Sequence, residues 1–352
     1  MSLYKRVLSY VLILLCVAFG TPLCAQELES ISTLALYGGQ DREQRMLQGA
    51  RREGSVNVYT SLAVQDITEL AAAFEKKYGI KVKYWRSAQD KILQRVVSET
   101  RAGRFDFDVL QTNDAELEAL VREKLLARAT SPYDSDLLPG AIRPHRQWVG
   151  VRLSIIAQAY NTKLVRDEDR PKTYQDLLDP KWKGKLALEA AESDWFGAVV
   201  REMGEERGLK LFRDIAATNG LSARKGHTLL AGLIASGDVP FALSAYNHGI
   251  ERLKRQGAPI NWYMVQPSFG RLSGLAISKA PASPHAAVLF YDFMLSPEAQ
   301  TILQKAFYVP TNLKLNDPFT KLPFKLIDPV VVLDESAKWE KLYQEILTSR
   351  PK

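Results

Sequence analysis

From residue 55 onward, short strand-like runs alternate with amphipathic helical segments, and few folds accommodate this order. Residues 56–59, 80–85 and 107–110 are rich in β-prone residues. Between them, apolar residues such as Ile67 and Leu70 recur at helical spacing, and short polar loops join the segments. The pattern predicts an α/β fold with a mostly parallel sheet covered by helices.

The second half of the chain continues this alternation. Residues 148–160 form a long run without regular polar alternation, which is typical of a strand buried on both faces. Later strand-like runs alternate with helical segments at 186–188, 239–243 and 271–278. Near the end, Ser296 is predicted to cap a helix whose first residue is Pro297, where a missing N–H costs nothing.

The N-terminus has the three parts of a secretory signal. Lys5 and Arg6 precede an apolar run over 7–19, which is too short to span a bilayer, and Ala25 is a small residue suited to cleavage. We therefore predict a signal peptide over residues 1–25 and a periplasmic location for the rest of the chain.

Both cysteines of the chain, Cys16 and Cys24, fall inside this predicted signal. The mature chain would therefore have no disulfide, cysteine-zinc site or thiol nucleophile, and its hydrophobic core alone must hold it together. Leu23 makes a poor lipid-attachment motif with Cys24, so we expect a protein without a lipid anchor. Lys5 and Arg6 carry two of the seven net positive charges, which leaves +5. No basic stripe interleaved with aromatic residues follows, so no nucleic-acid partner is predicted.

Small or polar residues follow each predicted strand where it runs into a helix. The carboxyl ends of strands in open sheets bind ligands, and helix N-termini there offer free N–H groups. The alternative is that each residue only caps its helix. For the set as a whole we predict a ligand cleft, formed by Thr60, Ser61, Arg86, Ser87, Asn113, Asp114, Ser193, Asp194, Trp195, Tyr246 and Asn247.

The order and spacing of several segments carry a family resemblance. They include the segment Ser236-Gly237-Asp238-Val239-Pro240, together with 58–61, 74–82, 107–110, 160–162, 176–185 and 295–300. With these segments the chain resembles the periplasmic substrate-binding proteins of bacterial ABC importers, in the group that includes ferric-iron, thiamine and polyamine binders.

The resemblance implies a two-lobed periplasmic-binding-protein-like fold of type II, with hinge strands that let the lobes close on a ligand. It also implies delivery of that ligand to a membrane permease and its ATPase. We place lobe 1 at 26–152 plus 268–310 and lobe 2 at 153–267 plus 311–352, and we predict a monomer.

The ligand is less constrained than the family. Ferric-iron members resembling this chain bind the metal through tyrosines, often a neighbouring pair. Here the matching place reads Ala245-Tyr246-Asn247-His248, with one tyrosine. Direct Fe3+ binding therefore stays an alternative, with Tyr246 and His248 as the metal-ligand candidates, and no resident cofactor is predicted.

The other candidates favour a small organic anion, a phosphorylated solute or a ferric chelate. Most are neutral hydrogen-bonding side chains, and Arg86 could clamp an acid group. We interpret Arg152 and Arg271 as solvated surface residues. Because Asp114 and Asp194 are acidic, a polyamine remains a further alternative.

An enzyme is the rival class. The sequence contains neither a Gly-x-Ser-x-Gly elbow nor a His-Glu-x-x-His motif. Glu189 and Glu192 are interpreted as surface acids. We therefore predict a binding protein without catalytic activity.

Overall fold

The order of helices and strands follows the alternation in the sequence. The computed structural model describes residues 30–348. The first half contains, in chain order, α1 (Ile31–Leu36), α2 (Arg42–Glu53), β1 (Ser55–Thr60), α3 (Val64–Tyr78), β2 (Lys81–Arg86), α4 (Gln89–Arg101), β3 (Val109–Asn113), α5 (Asp114–Arg122) and β4 (Val149–Asn161).

The second half begins with three short 3-10 turns and then resumes the alternation. Its helices and strands are β5 (Leu186–Glu189), α6 (Ser193–Met203), α7 (Glu205–Asn219), β6 (Ser222–Arg224), α8 (His227–Ser236), β7 (Phe241–Tyr246), α9 (Asn247–Arg255), β8 (Ile260–Tyr263), β9 (Phe269–Ile277), α10 (Pro284–Leu295), α11 (Pro297–Lys305), β10 (Val309–Pro310), β11 (Lys325–Leu326) and α12 (Pro329–Tyr343).

The strands form one mixed sheet in the order β2-β1-β3-β9-β4-β7-β5-β6, with β8 and β10 paired to β4 and β11 paired to β9. Within lobe 1, β1 pairs with β2 and β3 in parallel. Within lobe 2, β5 pairs with β6 and β7 in parallel. This two-lobed α/β architecture confirms the predicted fold class.

The two central strands, β4 and β9, join the lobes. They pair with each other antiparallel, while β9 also pairs with β3 of lobe 1 and β4 with β7 of lobe 2. All thirteen positions of β4 are buried, as expected for a strand covered on both faces. The hinge strands therefore link what would otherwise be two sheets into one.

The hydrophobic core divides in the same way. One group of buried apolar side chains comes from 34–157 and 272–309. The other comes from 156–269 and 327–347. In the first, Phe74 packs edge-on against Phe290 with ring centroids 5.1 Å apart. The lobe limits given above stay a prediction.

The predicted helix starts are partly correct. Ser296 caps α11 and accepts the N–H of Ala299 at 3.4 Å, which confirms that prediction. The polar run at 87–90 also predicts a capping box that opens α4. This prediction is wrong, because Ala88 occupies the N-cap of α4 without a side-chain cap.

The predicted signal peptide at 1–25 lies outside the described residues. Across the described part of the chain, no helix combines the length and apolar character needed to cross a membrane.

Candidate functional site

Strands from both lobes end at the middle of the hinge strands. β3 ends where Asn113 pairs with Ser273 of β9. β7 ends where Tyr246 pairs with Ile156 of β4. Because ligands of open α/β sheets bind beyond the carboxyl ends of strands, this meeting point is the candidate ligand cleft.

Two arginines and two serines share one face of the hinge strands at this point. The register pairs Arg152 with Ser273 and Ser154 with Arg271. Side chains two residues apart on a strand point to the same face, so the two arginines lie on a diagonal. Diagonal neighbours are roughly 7–8 Å apart, a span that one small molecule can bridge.

Arg152 is buried, so its interpretation as a surface residue is wrong, and it has no carboxylate partner among residues 30–348. It is 8% exposed, and its Nη1 donates to Ser154 Oγ at 3.2 Å. Its guanidinium stacks 4.3 Å from the ring centroid of Tyr308, and its Nε has no hydrogen-bond partner. A buried charge with no counter-ion is costly, so this arginine indicates a place for an anion.

His248 lies beside this arginine. Its ring centroid is 4.6 Å from that of Tyr308, and its Nδ1 is 3.5 Å from Ser154 Oγ. Burial, and then the charge of Arg152, lowers the pKa of His248 well below its usual value. His248 is therefore neutral near pH 7 and offers a hydrogen bond without adding a charge.

Tyr246 is held between two histidines. Its ring stacks on His227 at 3.7 Å between centroids, and the His248 ring is 5.4 Å away. Arg271 Nη1 donates to its phenol oxygen at 3.5 Å. Burial, and then the charge of Glu192, raises the pKa of Tyr246 well above its usual value. The phenol therefore stays protonated near pH 7 and keeps a hydrogen that it can donate.

The two acids interpreted as surface residues are buried, and that interpretation is wrong. Glu189 is 4% and Glu192 3% exposed. Glu189 accepts the N–H groups of Ala191 and Gly226 at 2.5 and 2.8 Å, which ties two loops of lobe 2 together. Sequence reasoning missed this role because the loops meet only in the folded chain.

Glu192 instead pairs with His227. Its Oε1 lies 2.8 Å from His227 Nε2. Burial alone would raise the pKa of Glu192, but His227 and then Arg271 hold it well below its usual range. Glu189, Glu192 and His227 place ligand atoms within 4.8 Å of one another, so within the described residues they form a candidate metal-binding group.

A second pair of acids lies at the start of α5. Asp114 is 3% exposed and accepts the N–H of Ala115 at 2.9 Å. Burial raises its pKa to about 7, although Arg271 acts in the other direction. Glu116 has a buried oxygen with no hydrogen-bond partner, and Arg271 forms an ion pair with Asp194. Glu116, Asp194 and Arg271 line part of a 320 Å³ cavity.

Helices that begin just beyond strands β1, β2, β3, β5, β6 and β7 lack side-chain caps. Their N-cap residues make no capping hydrogen bond: Ala63, Ala88, Asn113, Glu192, Gly226 and Tyr246. By contrast, Ser296 and Asp328 do cap α11 and α12. The alternative that the polar residues serve as caps therefore fails at these six helices, whose N-terminal partial positive charge favours an anion.

Three of the predicted site residues hold the strand ends together. Thr60 donates to Gln111 Oε1 at 2.7 Å. The amide oxygen of Asn113 accepts from Ser273 Oγ at 3.0 Å. Asn247 Oδ1 accepts the N–H of Ile155 at 2.8 Å, the equivalent contact in lobe 2.

The remaining predicted residues are placed differently. Arg86 is exposed, and its Nε donates to the carbonyl of Leu62 at 3.1 Å. Ser61 and Ser87 are half-buried at the ends of β1 and β2, and Ser193 lines the cavity. Trp195 is fully buried in the core of lobe 2, with its ring 6.1 Å from that of Phe212.

Residues 69–323 match the sequence profile of the bacterial extracellular solute-binding proteins. The chain belongs to this family. It is thus the solute-binding component of an ABC importer, as predicted. Members of the family work with an ABC permease and ATPase and bind small ligands, and its relatives are binding proteins rather than enzymes.

Relatives of this solute-binding protein differ in what their names say they bind. Iron uptake protein A1 of Synechocystis sp. is 25% identical over 288 residues, which cover 77% of this chain and 79% of the relative. A putative 2-aminoethylphosphonate-binding periplasmic protein of Salmonella typhimurium is 28% identical over 243 residues, 65% of this chain and 68% of the relative.

Among solved structures, iron-bound HitA from Pseudomonas aeruginosa superimposes with a TM-score of 0.72 at 24% identity. The match covers 83% of this solute-binding protein and 99% of HitA. At this identity the similarity shows the shared fold.

The residues that sequence reasoning missed in the solute-binding protein are Arg152, Arg271, Glu192 and His227. Arg152 carried a usable signal, because it is a charged residue inside the apolar run 149–157. A charge is rarely buried in a strand unless it has a partner or a function. The others depend on strand register and loop packing, which one sequence does not reveal.

Proposed function

We propose that this protein binds a small organic solute bearing a phosphate, phosphonate or carboxylate group, and delivers it unaltered to its permease from the periplasm. It would do so as a monomer. The observation that carries the proposal is the buried guanidinium of Arg152, which has no carboxylate partner within the described chain.

The groups around Arg152 suit an anion. Ser154, His248 and Tyr246 can each donate a hydrogen bond, and the pKa directions of the last two keep them uncharged near pH 7. A planar guanidinium binds oxyanions through two parallel hydrogen bonds, and such charge-assisted bonds are roughly twice as strong as neutral ones. A bound anion would also relieve the cost of the buried charge.

Direct ferric-iron binding is a second candidate, supported by the group Glu189, Glu192 and His227 and by the iron-binding relatives. One feature weighs against it, because both oxygens of Glu189 already accept backbone N–H groups.

The proposal is tested by thermal unfolding and titration calorimetry of the purified protein with inorganic phosphate, ethylphosphonate, ferric nitrilotriacetate and putrescine. Binding to the native state raises the melting temperature by mass action. We expect a rise with the phosphorus oxyanions and none with putrescine.

Tight ferric binding with a visible charge-transfer band, without any response to the oxyanions, would contradict the proposal and support the second candidate. A response to putrescine alone would contradict both.

A further inference from the structure

Two acids at the start of α5, one buried and one half-buried, have no ion-pair partner in the part of the chain that the structure describes. Asp114 is 3% exposed, and its hydrogen bond goes to the N–H of the next residue, Ala115. Glu116 carries a buried oxygen without a hydrogen-bond partner. The nearest arginine, Arg271, is in an ion pair with Asp194.

The same cleft therefore holds unpaired charges of both signs. Within the described residues, Arg152 on β4 has no ion-pair partner, and neither has Asp114 or Glu116 on α5. The strand register brings them near one another, because Asn113, the residue before Asp114, pairs with Ser273, and Ser273 pairs with Arg152. The arginine and the acids do not neutralise one another, although each bears a desolvation cost.

Glu116 lies beside an open space. The 320 Å³ cavity lined by Glu116, Asp194 and Arg271 gives room for a ligand group of a few heavy atoms. A carboxylate with a free oxygen beside such a space favours a group with several N–H donors. Glu192 is not counted with these acids, because its Oε1 contacts His227.

We infer that the solute is a zwitterion, whose ammonium group is bound by Asp114 and Glu116 while its acid group is bound by Arg152. This inference rests on the proposed function and narrows it to an amino-bearing phosphonate, phosphate or carboxylate. An ammonium has three donors and one positive charge, which suits two carboxylates that lack a cation.

The test compares compounds that differ only in one group. Ethylphosphonate and propylphosphonate supply the acid group, 2-aminoethylphosphonate and 3-aminopropylphosphonate add the amine, and 1,3-diaminopropane supplies amines alone. We expect the better aminoalkylphosphonate to bind about tenfold or more tightly than its alkyl counterpart, since a buried hydrogen bond to a charged group contributes that much. Titration calorimetry measures each dissociation constant.

Variants of the two acids locate the effect. Glu116→Gln and Asp114→Asn should each weaken binding of the aminoalkylphosphonate severalfold more than they weaken binding of the alkylphosphonate. Glu123→Gln, at an exposed position at the other end of α5, is the matched control. It should keep the full difference in affinity between the aminoalkylphosphonate and the alkylphosphonate. Melting curves of each variant verify that it folds.

The outcomes separate the inference from the function on which it rests. Equal affinity for alkyl and aminoalkyl compounds would overturn the inference of a zwitterionic solute, while the proposal of an anionic solute would stand. A gain from the amine that survives in both acid variants would overturn the assignment of Asp114 and Glu116. Binding of 1,3-diaminopropane without any phosphonate, or of none of the five compounds, would overturn both.

Discussion

Arg152→Met is expected to abolish phosphonate and phosphate binding while leaving the ligand-free protein as stable as the wild type, or more stable. Removing one partner of a buried charge pair costs about 2–5 kcal/mol of binding, roughly thirtyfold to several thousandfold in affinity. Without ligand, however, this guanidinium is a buried charge with no counter-ion, so an apolar side chain of similar length removes a cost. Methionine can still pack on Tyr308, on which the guanidinium stacks.

Urea unfolding without ligand and calorimetric titration with ethylphosphonate measure the two effects separately. Arg42→Met is the matched control, because Arg42 is a buried arginine with a partner. It is 5% exposed and its Nε lies 2.6 Å from Asp292 Oδ2. Leaving Asp292 buried and unpaired should cost about 3–5 kcal/mol of stability. Equal destabilisation by both substitutions would contradict the assignment of Arg152 to the ligand.

The alternation of strands and helices could be predicted because it depends on local pattern. The run at 148–160 became β4 at Val149–Asn161, and the run at 186–188 became β5 at Leu186–Glu189. The helices α7 and α12 were not predicted. In α12, Trp339 is fixed by tertiary packing, since a Cβ at Gly197 of α6 would lie 2.7 Å from its ring.

The site was predictable to the extent that it follows from topology. Strand ends point to the cleft, which is why Asp114 and Tyr246 were among the candidates. The functions of individual side chains were not predictable, because register and burial decide them. Arg86 is the last residue of β2, an outer strand of the sheet, and is exposed, whereas Arg152 lies on the central β4 and is buried. Trp195 is adjacent in sequence to Asp194, yet it is in the core of lobe 2.

Asp114→Asn is expected to stabilise the ligand-free protein at pH 8 and to have little effect at pH 4.5. Burial raises the pKa of Asp114 from 3.8 to about 7. Between these values the native state binds a proton that the unfolded chain has lost, so stability falls as pH rises through this window. The shift sets an upper limit of about 4 kcal/mol, which asparagine would recover at pH 8. Urea unfolding at both pH values measures it.

The groups that face Asp114 fix the sign of this effect. Arg271 on β9 favours its charged form, Glu116 on α5 disfavours it, and burial outweighs both. Asp90 on α4 acts on Glu116 in the same direction. Asp176→Asn, in contrast, is expected to lower stability above pH 4 and to have little effect in acid.

Asp176 accepts the N–H groups of Lys172 and Thr173 at 2.7 and 3.0 Å. Although burial acts in the other direction, these bonds hold the pKa of Asp176 below its usual value. Its contribution to stability is therefore present above pH 4 and lost in acid.

One outcome would contradict the prediction for Asp114. If the stability of the wild type and of Asp114→Asn changed with pH in parallel, Asp114 would be charged in the ligand-free cleft. A cation of the protein would then already balance that charge.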